Sequence, residues 1–115
     1  LERALDGTLR DLGTDRVEVF MLHRPDGLLD AESITEWVTR EQARGRIGGF
    51  GVSNFDAHAI TAFDGRLPIV ANQSELSLLQ STALDDGTHL ATRARGAEVQ
   101  AWSPLGGGGL LHGQG

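Results

Sequence analysis

This sequence predicts an α/β fold built on a parallel sheet, and three observations predict it. Stretches of helical periodicity alternate with short apolar runs along the chain. The runs are nearly continuous, as in strands of a parallel sheet covered on both faces. Each run also closes on residues of a kind used in active sites: His23-Arg24-Pro25, Ser53-Asn54, Asn72-Gln73 and Trp102-Ser103-Pro104. If the strands are parallel, all four sets fall on one edge of one sheet, where α/β barrels and open α/β sheets build their sites.

Leu1, Leu5, Leu9 and Leu12 recur at helical spacing before Gly13, so a helix is predicted over Leu1–Leu12. Val17–Leu22 is the first predicted strand, buried on both faces. Asp30 is the expected N-cap of a helix running to about Arg44, with Ile34, Trp37 and Val38 inward and Gly45 as its stop. Ile47–Val52 is the second strand. Asp56 is expected to cap a helix reaching about Phe63, punctuated by Gly65. Pro68 opens the third strand, over Ile69–Ala71, at a position where its missing N–H is tolerated. A longer connection holds Leu78 and Leu79, and a helix near Leu84–Arg95 stops at Gly96. Glu98–Trp102 is the fourth strand, followed by the Gly106–Gly109 run.

The resulting order, αβαβαβαβ, implies helical crossovers between parallel strands. It fits half of a (β/α)₈ barrel or part of a doubly wound sheet. A closed barrel takes about 250 residues, whereas this chain has 115. An open arc of four strands leaves two edges unpaired. The chain opens without Met and inside a predicted helix, so it is expected to be an internal piece of a longer polypeptide, one domain portion over residues 1–115.

Composition excludes several classes. No apolar stretch approaches the ~18 residues of a membrane-spanning helix. Ten Lys+Arg against 16 Asp+Glu give a net charge of −6, and the charges are scattered, which argues against a nucleic-acid partner. With no cysteine there is neither a disulfide framework nor thiolate chemistry, which suits a cytoplasmic protein. All ten basic residues are Arg, and there is no Tyr. A phosphate-binding P-loop needs a Lys that the chain lacks. No metal-binding spacing and no GxSxG nucleophile turn is present, so no metal is expected.

Each strand-end residue has two readings. His23 is either a loop histidine packed under a turn or a neutral imidazole that hydrogen-bonds a substrate carbonyl. Ser53 and Asn54 either cap the next helix or hold a planar carboxamide. Gln73 is a satisfied rim amide or a ligand amide, with both donor and acceptor to offer. Trp102 is core, or an indole stacked on a flat ring. The Gly106–Gly109 run is a flexible loop, or backbone that approaches phosphates.

The words LHRPD, GRIGGFGVSNF, ANQSELSLL and AWSPLGGGGL, in this order and spacing, resemble the aldo-keto reductases, as does the opening LERALDGTLRDLGTDRVEVFML. The stretch LDDGTHLATRARG resembles a bacterial subgroup. The likeness covers essentially the whole chain. It implies a partial (β/α)₈ TIM barrel of about four consecutive units, the fourth to seventh strands of the barrel. It implies NADPH as cofactor, with NADH an alternative, and a small aldehyde or ketone as substrate. His23 matches the active-site histidine that orients the carbonyl. Ser53, Asn54 and Gln73 match residues that hydrogen-bond the nicotinamide carboxamide. Trp102 stands where the family often has an aromatic, commonly Tyr, against the nicotinamide ring. Ser103, Leu105 and Gly106 match the loop along the pyrophosphate and ribose.

The departures matter as well. The family sets an Asp, a Tyr proton donor and a Lys beside that His. These come from earlier strands, and a chain without Tyr or Lys does not contain the last two. Leu76 replaces an aromatic common after the NQ-E word. The expected function is therefore part of an NAD(P)H-dependent aldo-keto reductase, the piece inactive by itself. The alternative from another class is a cofactor-binding regulatory protein on the same fold, like the channel β-subunits.

Overall fold

Strands β1 (Val17–Leu22), β2 (Ile47–Ser53), β3 (Ile69–Glu75) and β4 (Glu98–Trp102) lie side by side in chain order. Every neighbouring pair is parallel, so all four C-terminal ends share one edge. This computed structural model describes residues 1–25 and 30–113. Asp26 of the LHRPD word lies outside the described residues.

Helix α1 (Glu2–Leu12) buries Leu5 and Leu9 and ends at Gly13. Helix α2 (Ala31–Ala43) begins as expected at Asp30, whose Oδ1 accepts the Ser33 N–H at 3.1 Å while Oδ2 accepts the Ser33 hydroxyl at 2.7 Å. That hydroxyl bond, and the backbone one beside it, hold the Asp30 carboxyl below its ordinary range. Trp37 and Val38 are buried under α2 and Ile34 is half-buried. Tilted contact of the Phe20 and Trp37 rings, 5.5 Å between centroids, seats α2 on β1.

Two helical expectations change. The stretch after Asp56 is a short 3₁₀ turn, Ala59–Phe63, rather than an α-helix. Asp56 Oδ1 accepts the N–H groups of His58 and Ala59, at 3.0 and 2.7 Å, and so closes a local turn. Five residues with β-branched Ile60 and Thr61 are too few to sustain an α-helix without a long apolar stripe. The expected Leu84–Arg95 helix is broken into α3 (Thr82–Asp85) and α4 (Thr88–Ala94). Gly87 stands between them at φ 91°, in the left-handed region, and Asp86 Oδ1 takes the Thr88 N–H at 2.9 Å. The carboxylate that reads as a helix interior residue instead closes a local turn between the two helices, just before Gly87, the N-cap of the second.

One apolar cluster joins the helices to the outer face of the sheet. It contains Leu5, Trp37, Val38, Phe50, Val52, Phe55, Ile60 and Phe63 among others. Phe50 meets Phe63 edge to face at 5.5 Å. Beneath this layer Glu41, fully buried, is neutralised by Arg44 and Arg46, the second of which also bonds Asp6 of α1.

The other face of the sheet is open, which corrects the expectation for β1. Strand alternation turns Val19 away from Phe20 and the helices, and Val19 is 43% exposed. Val70 on β3 shares that face and is 39% exposed. Among the described residues no element packs over it. Gly51 on β2 lets this face close up laterally: a Cβ there would meet the Ala71 carbonyl oxygen and the Met21 methyl at 3.1 Å.

Candidate active site

Strands β2 and β3 run one step and several steps further than predicted, so Ser53, Asn72 and Gln73 are strand residues and not loop residues. A bulge decides which of them face the open side. Phe50 pairs with Ile69, but Val52 pairs with Asn72, so β3 carries one extra residue over this interval. Asn72 therefore turns outward. It is fully buried, its Nδ2 donating to the Phe55 carbonyl at 2.9 Å and to Thr92 Oγ1 at 3.1 Å. The strand-end pair Asn72-Gln73 thus divides: Asn72 ties β3 to the helical layer, and Gln73 points to the open face.

His23 is the first residue past β1 and is exposed, with Arg24 Nη2 3.4 Å from its Nε2. Ser53 ends β2 and is buried, its hydroxyl 3.4 Å from the Gln73 carbonyl oxygen. Asn54 follows with φ 63°. Its backbone N–H donates to the Gln73 carbonyl at 2.8 Å and its Nδ2 to the His23 carbonyl at 2.9 Å. Its Oδ1 accepts the Trp102 indole N–H at 2.9 Å. Gln73 Nε2 donates to Gln100 Oε1 at 2.9 Å, across the β3–β4 ladder.

These side chains enclose a cavity of about 300 Å³ lined by His23, Arg24, Ser53, Asn54, Gln73 and Trp102. Five residues named from the sequence thus meet at one strand-end hollow. Ser103, Leu105 and Gly106 do not line it. Ser103 turns the chain at φ 48°, Leu105 is half exposed, and Gly106 lies against the Leu79 side chain. The Gly106–Gly108 segment is a 3₁₀ turn with left-handed backbone, so the run has a defined course. Sequence reasoning named Arg24 only within its strand-end set, without a role, and passed over Gln100. The alternation Val99-Gln100-Ala101-Trp102 puts Gln100 and Trp102 on one face, and that was the available signal.

The hollow offers two amides, a hydroxyl, an imidazole and an indole face. Such a donor set suits a planar carboxamide on a flat ring, beside a carbonyl oxygen that accepts from the imidazole. Nothing in it carries negative charge.

Comparison with known proteins agrees with this picture. The model of the aldo/keto reductase family matches residues 1–115. A 6-dehydroglucose reductase of Agrobacterium fabrum is 36% identical over 112 residues, 96% of this chain and 38% of that protein. A glycerol dehydrogenase of Gluconobacter oxydans superposes with a TM-score of 0.82 at 23% identity, over 97% of this chain and 32% of that one. A thermostable aldo-keto reductase solved with the inhibitor epalrestat gives 0.82 at 30% identity, over 90% and 38%. The chain thus spans about a third of the length of the relatives it matches. The four-stranded parallel arc is a partial (β/α)₈ barrel, as the sequence predicts.

Proposed function

Since this chain belongs to the aldo/keto reductase family, we propose that it contributes part of the active site of an NAD(P)H-dependent, cytoplasmic carbonyl reductase. The observation that carries this reading is the convergence of His23, Ser53, Asn54, Gln73 and Trp102 on one hollow at the C-terminal strand ends.

In this reading a bound nicotinamide supplies the hydride, with NADPH preferred. Ser53, Asn54 and Gln73 hold its carboxamide through hydroxyl and amide groups. Trp102 presents an indole face to its ring. His23 donates a hydrogen bond to the oxygen of a small aldehyde or ketone, polarising the carbonyl and fixing its angle. Ser103, Leu105 and Gly106 run beside the pyrophosphate. The proton for the product alkoxide is assigned to the Tyr that the family resemblance implies, a residue this chain does not contain.

The test is the full-length polypeptide that carries this chain. Near-ultraviolet absorbance of NADPH is expected to fall when an aldehyde panel is added. Tight NADPH binding with no loss of absorbance on any carbonyl compound would favour the regulatory, cofactor-binding alternative.

A further inference from the structure

Asn54 and Trp102 line two cavities at once. One is the hollow with His23 and Arg24, and the other, of about 310 Å³, is bordered by Asp56, Glu75 and Asp86. The hydrogen bond between them is part of the wall that separates a hollow free of acidic groups from an acidic one. We propose that Asn54 is a positioning residue whose carboxamide fixes the Trp102 indole as this wall. The proposal deepens the reading above and rests on it only for the consequence to cofactor binding.

Three observations carry it. Asn54 and Ser103 are the two non-glycine residues with positive φ among the described residues, at 63° and 48°. They sit at the ends of β2 and β4, on either side of the Asn54–Trp102 bond. Left-handed backbone at such residues persists where surrounding contacts impose it. Second, Trp102 is 39% exposed, so packing alone does not hold its ring. An indole N–H is a single donor, and its bond to Asn54 Oδ1 sets the ring's direction. Third, the amide is anchored at its other end by the His23 carbonyl. The second N–H donates to Ser53 Oγ at 3.4 Å, and one lone pair on Oδ1 remains for the N–H of a ligand carboxamide. Positioning Trp102 is therefore compatible with meeting a cofactor.

The test follows indole N–H signals in the ¹⁵N-indole-labelled full-length polypeptide, assigned with Trp102→Phe and Trp37→Phe. Asn54→Gly keeps the left-handed backbone and removes the side chain. Asn54→Asp keeps the acceptor for Trp102 and removes the donor to His23. In Asn54→Gly the Trp102 proton is expected to shift upfield and to exchange roughly five- to tenfold faster, the scale of one net hydrogen bond. In Asn54→Asp the acceptor remains and is charged, so the Trp102 proton is expected to keep or increase its downfield shift and not to exchange faster. Trp37 stays unchanged in both. A Trp102 signal indifferent to Asn54→Gly overturns the proposal. So does equal loss in the Asp variant, or a loss that Trp37 shares. NADPH titration of Trp102→Phe, which keeps a flat ring but has no N–H, is expected to show several-fold weaker binding. If the unsubstituted protein binds no NADPH, the cofactor reading fails while the indole signals still decide the role of Asn54.

Discussion

Arg95 grips Asp64 with two parallel hydrogen bonds, Nε to Oδ1 at 2.7 Å and Nη2 to Oδ2 at 2.6 Å. The fork joins the end of α4 to the end of the 3₁₀ turn, across the base of the core. It is the bidentate geometry that favours Arg over Lys. The Arg95 hydrogen bonds hold the Asp64 carboxyl below its ordinary 3.8. Folded Asp64 therefore binds its proton less tightly than in the unfolded chain. Its stabilising effect is complete above 3.8 and is lost as pH falls through the lower folded value. The Asp64 side chain is 51% exposed, so the effect is small and screened by salt. Urea midpoints from pH 7 down to 2.5 are expected to drop less steeply below pH 4 in Asp64→Asn than in the unsubstituted protein.

His23→Ala in the full-length polypeptide is expected to lower kcat/KM by roughly 10²–10⁴-fold, the scale of a positioned acid–base or polarising group. NADPH affinity changes little, since the His23 contact that Asn54 uses is a backbone carbonyl. A near-normal rate would return His23 to the role of a loop histidine.

Trp102→Ala is expected to weaken NADPH binding by about 0.5–1.5 kcal/mol beyond the lost contact area. Tryptophan quenching on cofactor addition should disappear with it. Trp37, buried against Phe20 on the opposite face, is the control. Quenching that survives Trp102→Ala and vanishes in Trp37→Phe would reverse the assignment.

Phe50 is completely buried and packs on Phe63. Phe50→Ala opens a cavity in the apolar cluster under the helices and is expected to cost about 3–5 kcal/mol, read from chemical denaturation. A loss below ~1 kcal/mol would mean that the cluster collapses around the gap.

The polypeptide Leu1–Gly115 made alone is expected to self-associate and to catalyse no reduction. β1 and β4 each have one unpaired edge, and Val19 and Val70 lie bare between them. Such edges and apolar faces recruit further chains. Sedimentation that returns a stable monomer, together with aldehyde reduction by that monomer, would contradict this.

The strands were legible because their apolar cores are short and sharply bounded: Val17–Leu22 and Glu98–Trp102 form over the residues expected. The C-terminal reach of β2 and β3 was not. Polar side chains at 53, 72 and 73 read as loop, but ladder pairing uses the backbone and is indifferent to them. Convergence of His23 with Ser53, Asn54, Gln73 and Trp102 followed from parallel strands ending at one edge. The separate fates of Asn72 and Gln73 depend on the bulge, a property of how two strands pair and not of either one. The hydrogen bond from Trp102 to Asn54 spans residues distant in the chain and joined only by the fold.

That bulge makes the chemistry of the hollow a matter of parity. With one residue fewer between Ile69 and Asn72, every later side chain of β3 would change sides. Gln73 would be driven into the helical layer, and the carboxylate of Glu75 would leave the face where it now stands opposite Trp102. A one-residue deletion there would rewrite the rim without altering any residue on it. A compensating insertion anywhere before Gln73 on the same strand would write it back.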